Sequence, residues 1–280
     1  MSTELTKTKT AVPANVDFGD DAGQGFENQT AADIAIPFIN QLQALSPEVK
    51  KGGESYIKGA EEGMFLNTAT REVTDVVYFI PVYAETRYNH WKLRKLGGGL
   101  LETFDSVNHP TIMEAKAKAA KTEKKNKWLV YEGGKPVSEI VETRYFFALL
   151  LDENGEITGP AMIPFWSSKI KAYKNFRYRL DNAAGKFKNR APMYAFKVAM
   201  GSTDDSFADG DCKVPELTFF TNDDAMASLN PPKVDGNENP TYTAARNFYE
   251  AVASSDVKVD LTQQEGTGPI NADVDDSEEF

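Results

Sequence analysis

The sequence predicts a mainly β protein, an OB-like antiparallel barrel with a few helices, long insertions and disordered acidic termini. At least six short segments rich in β-branched and aromatic residues follow one another with few helical patterns between them, which disfavours a parallel βαβ sheet. The chain has 280 residues, of which 41% are hydrophobic. This composition is sufficient for one folded domain of about 190 residues with polar ends.

Composition divides the chain into four segments. Residues 1–32 are rich in Thr, Asp, Gly, Asn and Gln and carry few large apolar side chains, so we expect them to be disordered. Residues 33–225 hold the apolar segments and form the predicted β-rich core. Residues 226–254 form a linker and a helix. Residues 255–280 return to Thr, Gln, Gly and Asp, which predicts a disordered acidic tail.

The folded part begins in the apolar block 34–45 and continues through a series of strands. The predicted strands cover residues 76–83, 87–96, 128–131, 145–151, 161–166, 194–200 and 216–221. The sequence at 152–156, Asp-Glu-Asn-Gly-Glu, is typical of a hairpin turn between two of them. The Ser, Gly and Asp residues of 201–211 indicate a loop.

Two helices are expected. In residues 167–182 one helical stripe is apolar, and its members are Ile170, Tyr173, Phe176 and Leu180. This pattern buries the stripe and leaves Lys171, Lys174, Tyr178 and Arg179 nearer the solvent. Asn239, followed by Pro and Thr, is the predicted N-cap of a second helix that ends near residue 254.

Charge is strongly segregated along the chain. Residues 1–80 hold 6 Lys and Arg against 12 Asp and Glu, residues 81–200 hold 21 against 12, and residues 201–280 hold 4 against 18. The overall net charge of −11 therefore hides a basic middle segment. Phosphate binding depends on Lys and Arg, so this segment is where a nucleic-acid partner would bind.

The densest basic stretch lies within residues 165–197, where nine cations face one acid, Asp181. The cations are Lys169, Lys171, Lys174, Arg177, Arg179, Lys186, Lys188, Arg190 and Lys197. Aromatic residues alternate with them, a mixture typical of proteins that stack bases on rings while cations follow the phosphate backbone. The rings could equally belong to the core, so the charges carry more of the interpretation.

A second basic cluster precedes three consecutive glycines at 97–99. Its cations are Arg87, Lys92, Arg94 and Lys95, and they surround Trp91. The rings expected to stack on bases are those of Trp91, Trp166, Tyr173 and Tyr178. A third basic run, residues 116–127, is rich in Ala, Lys and Glu and indicates a solvated helix or, alternatively, a basic arm along a nucleic-acid strand.

Most enzyme classes find no support in the sequence. Neither glycine-rich segment has the GxxxxGK[ST] pattern of a nucleotide-hydrolysing loop. Two histidines and one cysteine are too few for a typical metal or thiolate site. We therefore expect no enzyme, no metal and no cofactor. The N-terminus lacks an apolar signal region and no run of eighteen apolar residues is present, which predicts a cytoplasmic protein without a membrane partner.

The C-terminus carries five carboxylates in its last eight residues and ends in an aromatic residue. These residues are Asp273, Asp275, Asp276, Glu278, Glu279 and Phe280. The ending resembles that of bacterial and phage replicative single-stranded-DNA-binding proteins. The resemblance implies that the tail recruits replication partners and competes with DNA for the protein's own groove. Residues 36–100 are in addition similar to proteins of tailed phages.

Together these patterns favour a phage single-stranded-DNA-binding protein of the bacterial host cytoplasm, acting in DNA replication, recombination or repair. The implied partners are single-stranded DNA and, through the tail, a polymerase or a helicase–primase, and a homo-oligomer is possible. Two alternatives remain open. One is a structural or virion protein whose basic middle packs against its own acidic ends, and the other is a single-strand annealing recombinase.

Overall fold

A computed structural model describes residues 36–119, 127–207, 210–255, 257 and 259–264. Within these ranges the chain forms twelve strands and three α-helices. The strands are β1 (Ile39–Gln41), β2 (Phe65–Asn67), β3 (Val73–Thr74), β4 (Val77–Lys92), β5 (Leu100–Phe104), β6 (Lys127–Glu132), β7 (Lys135–Leu151), β8 (Ile157–Trp166), β9 (Val198–Phe207), β10 (Gly210–Phe219), β11 (Lys233–Val234) and β12 (Asn237–Glu238). The helices are α1 (Pro110–Ala119), α2 (Lys169–Gly185) and α3 (Pro240–Ala253).

Two long antiparallel strands, β4 and β7, form the spine of a seven-stranded sheet. At one end of the spine β9 and β10 continue the sheet beyond β4, and β8 continues it beyond β7. At the other end β5 pairs with β4 and β6 pairs with β7. The sheet therefore has a wide half, in the order β10-β9-β4-β7-β8, and a narrower half, in the order β5-β4-β7-β6.

The mainly β class predicted from the sequence is confirmed, but an OB-like barrel is not. Among the described strands, β5, β6 and β10 each pair with a single neighbour, so these pairings leave the sheet open. A small sheet, β1-β2-β3, adjoins β8 through a bridge between Phe38 and Met162. The two predicted strands at 76–83 and 87–96 are parts of one strand, β4, which bulges between Pro81 and Tyr83.

Helix α2 covers one face of the wide half of the sheet. Its buried stripe includes the four predicted residues, Ile170, Tyr173, Phe176 and Leu180. Tyr173 packs against Phe146 and Phe165, with ring centroids 4.8 and 5.4 Å apart. This contact orients the helix so that its opposite side, with Lys174 and Tyr178, faces the solvent.

Helix α3 packs on other strand residues of the same half, and Ala245 lies fully buried beside Ile80, Val82 and Leu149. The predicted N-cap is confirmed, because the Asn239 side chain accepts a hydrogen bond from the Thr241 N–H at 3.1 Å. The first residues after α3 also contact the core. Val257, Val259 and Leu261 pack against a cluster that contains Phe38 and Tyr145.

One sequence prediction was wrong: the described residues of 201–211 do not form a loop. Residues 201–207 continue β9 and residues 210 and 211 begin β10, and the two strands pair in a hairpin. The Nζ of Lys213 lies 2.8 Å from a carboxylate oxygen of Asp204 across this hairpin. The predicted disordered segment 1–32, much of the basic run 116–127 and the tail residues 265–280 lie outside the described residues.

Candidate functional site

Four of the residues predicted to contact nucleic acid are buried. Trp91, Trp166 and Tyr173 each expose 6% of their surface, and Lys169 exposes 4%. Trp91 and Trp166 pack together with Val141 in the interior, and Tyr173 belongs to the core beneath α2. The prediction that these three rings stack on bases is therefore corrected: they fill the core and offer no free face to a ligand.

The ammonium group of Lys169 contacts other groups of the protein interior and is not available to a phosphate. Its Nζ lies 4.4 Å from the centre of the Trp166 ring and donates a hydrogen bond to the Gln41 carbonyl at 3.3 Å. Burial disfavours the charged form and lowers the pKa of Lys169 to about 7. The sequence had suggested that Lys169 neutralises a phosphate at the surface. Its burial corrects that prediction.

Three further predicted cations are engaged with acidic side chains. Arg87 pairs with Glu85 at 3.0 Å and with Asp105 at 2.5 Å. Lys171 pairs with Asp205 at 3.3 Å. Arg179 pairs with Asp223 and lies above the rings of Phe176 and Phe219. Their charge is partly neutralised from within the chain, so they attract a polyanion less than free cations would.

Three lysines of α2 and of the loop that follows it are open to solvent. Lys174, Lys186 and Lys188 are exposed, and within the described part of the chain none of them forms an ion pair. Tyr178 lies one helical turn from Lys174 and exposes 69% of its surface. We call these four residues the α2 surface. It is a cationic strip with one ring available for stacking.

The second predicted cluster lies at the end of β4 and directly after it. Lys92 ends β4, and Arg94 and Lys95 lie in a short 3₁₀ turn directly after it. All three are exposed. At 3.3 Å per residue, Lys92 lies about 26 Å along β4 from Ala84, which borders the cleft described next. Lys92, Arg94 and Lys95 therefore lie away from the cleft, although Trp91 and Trp166, from the two basic stretches, are in contact.

A cleft of about 540 Å³ opens beside α2 at an interruption in the sheet. One edge of β4 pairs with β9 up to Phe79 and with β5 from Tyr88 onward. Between these two residues no described strand pairs with that edge. Val82, Tyr83 and Ala84 of this interval line the cleft together with Leu180 and Ala184 of α2. The volume lies in the range of small-ligand sites.

Two predicted arginines meet in this cleft at one carboxylate. Arg177 Nη1 lies 3.9 Å from Asp181 Oδ1, and Arg190 Nη2 contacts the same oxygen. The loop after α2 places Arg190 there, because the Ala191 N–H donates a hydrogen bond to the Ala184 carbonyl at 3.1 Å. Two guanidinium groups therefore share one acidic oxygen in the lining of the cleft.

Three tyrosines form the aromatic part of the cleft. Tyr249 lies with its ring centroid 6.3 Å from that of Tyr83 and 5.8 Å from that of Tyr194. Tyr249 exposes 38% of its surface. Burial raises the pKa of Tyr194 to about 12, so its hydroxyl stays protonated and can donate a hydrogen bond at neutral pH.

Sequence reasoning did not bring these three tyrosines together, because Tyr83 and Tyr249 lie outside the basic stretch 165–197 that contains Tyr194. One signal was present: Tyr242 and Tyr249 are seven residues apart in the predicted C-terminal helix and so share one face. In the structure both rings contact Tyr194, at centroid distances of 5.3 and 5.8 Å.

The described residues contain no group of three or more His, Cys, Asp and Glu side chains that could hold a metal ion. Among them there is also no helix with the length and apolar character needed to span a membrane. The tail residues Asp273, Asp275, Asp276, Glu278, Glu279 and Phe280 lie outside the described ranges. Their predicted role as a partner-binding segment therefore stays a prediction.

Comparison with known families shows which family the chain resembles. The family model described as Pam3 phage gp34-like protein matches residues 6–258. The chain belongs to this family. Membership confirms the broader part of the sequence prediction, a protein of bacteriophage origin, while single-stranded-DNA binding remains a proposal. Neither the curated proteins nor the solved structures contain a match to the chain.

Proposed function

We propose that this phage gp34-like protein is a single-stranded-DNA-binding protein that acts in phage DNA replication, recombination or repair in the cytoplasm of the bacterial host. The proposal describes a binding protein and not an enzyme. The observation that carries it is the arrangement around α2. Exposed lysines on the helix and its following loop, which form no ion pair with the described residues, accompany a cleft along the same helix that combines two guanidinium groups with three tyrosine rings.

This arrangement offers the two kinds of contact that a single DNA strand can make, through its phosphates and through its bases. Lysines of the α2 surface can neutralise successive phosphates, and the exposed ring of Tyr178 offers a stacking surface for a base. Base stacking is tolerant of sequence because every base has an aromatic face, and each stacked base contributes on the order of 1–3 kcal/mol. A duplex hides its bases from such rings, so the proposed preference is for single strands.

The acidic tail has two roles in this proposal. Its five carboxylates repel DNA phosphates and are attracted to the same cations, so the tail competes with DNA for the α2 surface. Once DNA displaces it, the tail with Phe280 is available to a polymerase or a helicase–primase, whose basic surface would need a pocket for the ring. DNA binding and partner recruitment are coupled in this way.

The test is a titration of a fluorescent single strand of about 30 nucleotides, and of its duplex, with the full-length protein at several salt concentrations. We expect tighter binding to the single strand and a steep loss of affinity with salt, since phosphate neutralisation releases counterions. Equal binding of both forms, or binding that is insensitive to salt, would contradict the proposal.

A second candidate function is a structural or virion protein with self-complementary charge. Ion pairs within the chain favour this candidate. Arg87, Lys171 and Arg179 each pair with an acid of the same chain, so their charges serve internal contacts and are less available to DNA. This candidate predicts that neither the full-length protein nor a form lacking residues 271–280 binds DNA at low salt. The same titration therefore separates the two functions.

A further inference from the structure

The Asp181 carboxylate lies near two guanidinium groups in the cleft. Its Oδ1 contacts Arg190 and lies 3.9 Å from Arg177 Nη1, and Asp181 is the only acid among the described residues that line the cleft. The side chain of Asp181 is 45% exposed. An ion pair with this exposure is weak, because water screens it and both partners keep mobile side chains. A phosphate can therefore exchange with the carboxylate at small cost.

The surroundings of this position suit the rest of a nucleotide. The same cleft is lined by the rings of Tyr83, Tyr194 and Tyr249 and by the apolar side chains of Val82 and Leu180. Tyrosine rings accept a base by stacking, and guanidinium groups bind phosphate oxygens through paired hydrogen bonds. The cleft volume of about 540 Å³ is in the range expected for a small ligand such as one nucleotide.

We propose that the cleft holds one flipped nucleotide of the bound strand, with its base against Tyr249 and its phosphate in place of the Asp181 carboxylate between Arg177 and Arg190. The proposal rests on the single-strand binding proposed above and adds a specific subsite to it. Asp181 then acts as an internal competitor for the phosphate. It keeps the two arginines oriented toward the cleft while the site is empty, and it lowers the affinity for the strand.

Asp181→Asn tests the competitor role, and Asp223→Asn is its matched control. Asp223 is 46% exposed and pairs with Arg179 outside the cleft, so both substitutions remove one charge of similar exposure. We expect Asp181→Asn to tighten binding of a 30-nucleotide strand by about two- to fivefold, the range of a weak ion pair. Asp223→Asn should tighten it clearly less. Equal effects of the two substitutions would overturn the competitor role.

Tyr249→Leu tests the stacking role, with Tyr131→Leu as its control. Tyr131 lies on β6, outside the cleft, and its 37% exposure matches the 38% of Tyr249. We expect Tyr249→Leu to weaken strand binding by at least about fivefold, the lower bound for loss of a stacked base. Tyr131→Leu should leave binding unchanged. Thermal unfolding of each variant reports whether a change in affinity reflects a loss of fold.

The outcomes separate the two proposals. If the wild-type protein binds the strand but Tyr249→Leu behaves like Tyr131→Leu and Asp181→Asn like Asp223→Asn, the nucleotide subsite is wrong and single-strand binding stands. If the wild-type protein does not bind the strand at low salt, both proposals fail. Tighter binding by Asp181→Asn together with weaker binding by Tyr249→Leu supports the subsite.

Discussion

Lys169 is the residue whose environment differs most from its chemical character. A lysine usually extends its ammonium group into water, yet this one exposes only 4% of its surface and lies against the ring of Trp166. It is the first residue of α2, where the helix dipole also disfavours a positive charge. Two unfavourable terms, desolvation and the dipole, therefore act on one side chain.

This environment predicts a pH-dependent stability. The folded-state pKa of Lys169 is lowered to about 7, below its unfolded value, so the unfolded state binds more protons and stability rises with pH above 7. Relative to Lys169→Met, the wild type should gain about 2 kcal/mol between pH 7 and pH 9. Denaturant unfolding of both proteins at the two pH values measures the difference. A constant difference would show that the lysine is not a buried base.

At the scale of elements, α3 carries Tyr249 of the cleft, and hydrogen bonds hold the start of this helix to residues 230 and 231. Its N-cap, Asn239, accepts a hydrogen bond from the Thr241 N–H and donates to the Pro231 carbonyl at 2.8 Å and to Asn230 Oδ1 at 3.0 Å. These bonds fix the start of the helix that carries Tyr242 and Tyr249. The cap therefore positions two rings of the aromatic cluster.

Substitutions at Asn239 separate the cap from the donated bonds. Asn239→Ala removes both and should lower the free energy of unfolding by about 1–2 kcal/mol. Asn239→Ser keeps an accepting oxygen at the cap but removes the amide group that donates to Asn230 Oδ1 and the Pro231 carbonyl, so its loss should be smaller. Thermal or urea unfolding gives the values. Equal stability of the alanine variant and the wild type would mean that the cap does not hold α3.

Several elements could be predicted because their pattern is local. The apolar stripe of α2 and the Asn-Pro start of α3 are visible in sequence, and both helices form where expected. The burial of Trp91 and Trp166 was not visible, because it depends on contact between residues 75 positions apart in the chain. The cleft was missed for the same reason: it joins β4, α2 and α3, and no single segment contains its pattern.

At the scale of the whole molecule, the segregation of charge is the main feature. A basic middle with exposed lysines on α2 lies in a chain whose overall net charge is −11. Such a protein can bind a polyanion only if its acidic segments lie away from the basic surface or are displaced from it by the ligand. The acidic C-terminus is therefore proposed as a regulator of the α2 surface.

Removal of residues 271–280 tests this regulation. We expect the truncated protein to bind a 30-nucleotide single strand about three- to tenfold more tightly than the full-length protein at low salt, with the difference disappearing as salt screens the tail. A full-length variant with amides in place of the five acids should behave like the truncation, because the effect is one of charge. Unchanged DNA affinity at low salt would exclude competition by the tail.

The claim that a single strand lies on the α2 surface is tested most directly by comparing two triple variants. Lys174, Lys186 and Lys188 are changed to Gln in one, and the exposed Lys50, Lys51 and Lys58 are changed to Gln in the other, so that the net charge changes equally. Both proteins are titrated with a 30-nucleotide strand across a range of salt.

We expect the α2 variant to bind more weakly and to lose about 2 from the slope of log affinity against log salt, since each phosphate contact on a single strand contributes about 0.7. The control variant should keep the wild-type slope. Equal slopes for the two variants would contradict the account, because the strand would then lie elsewhere on the protein.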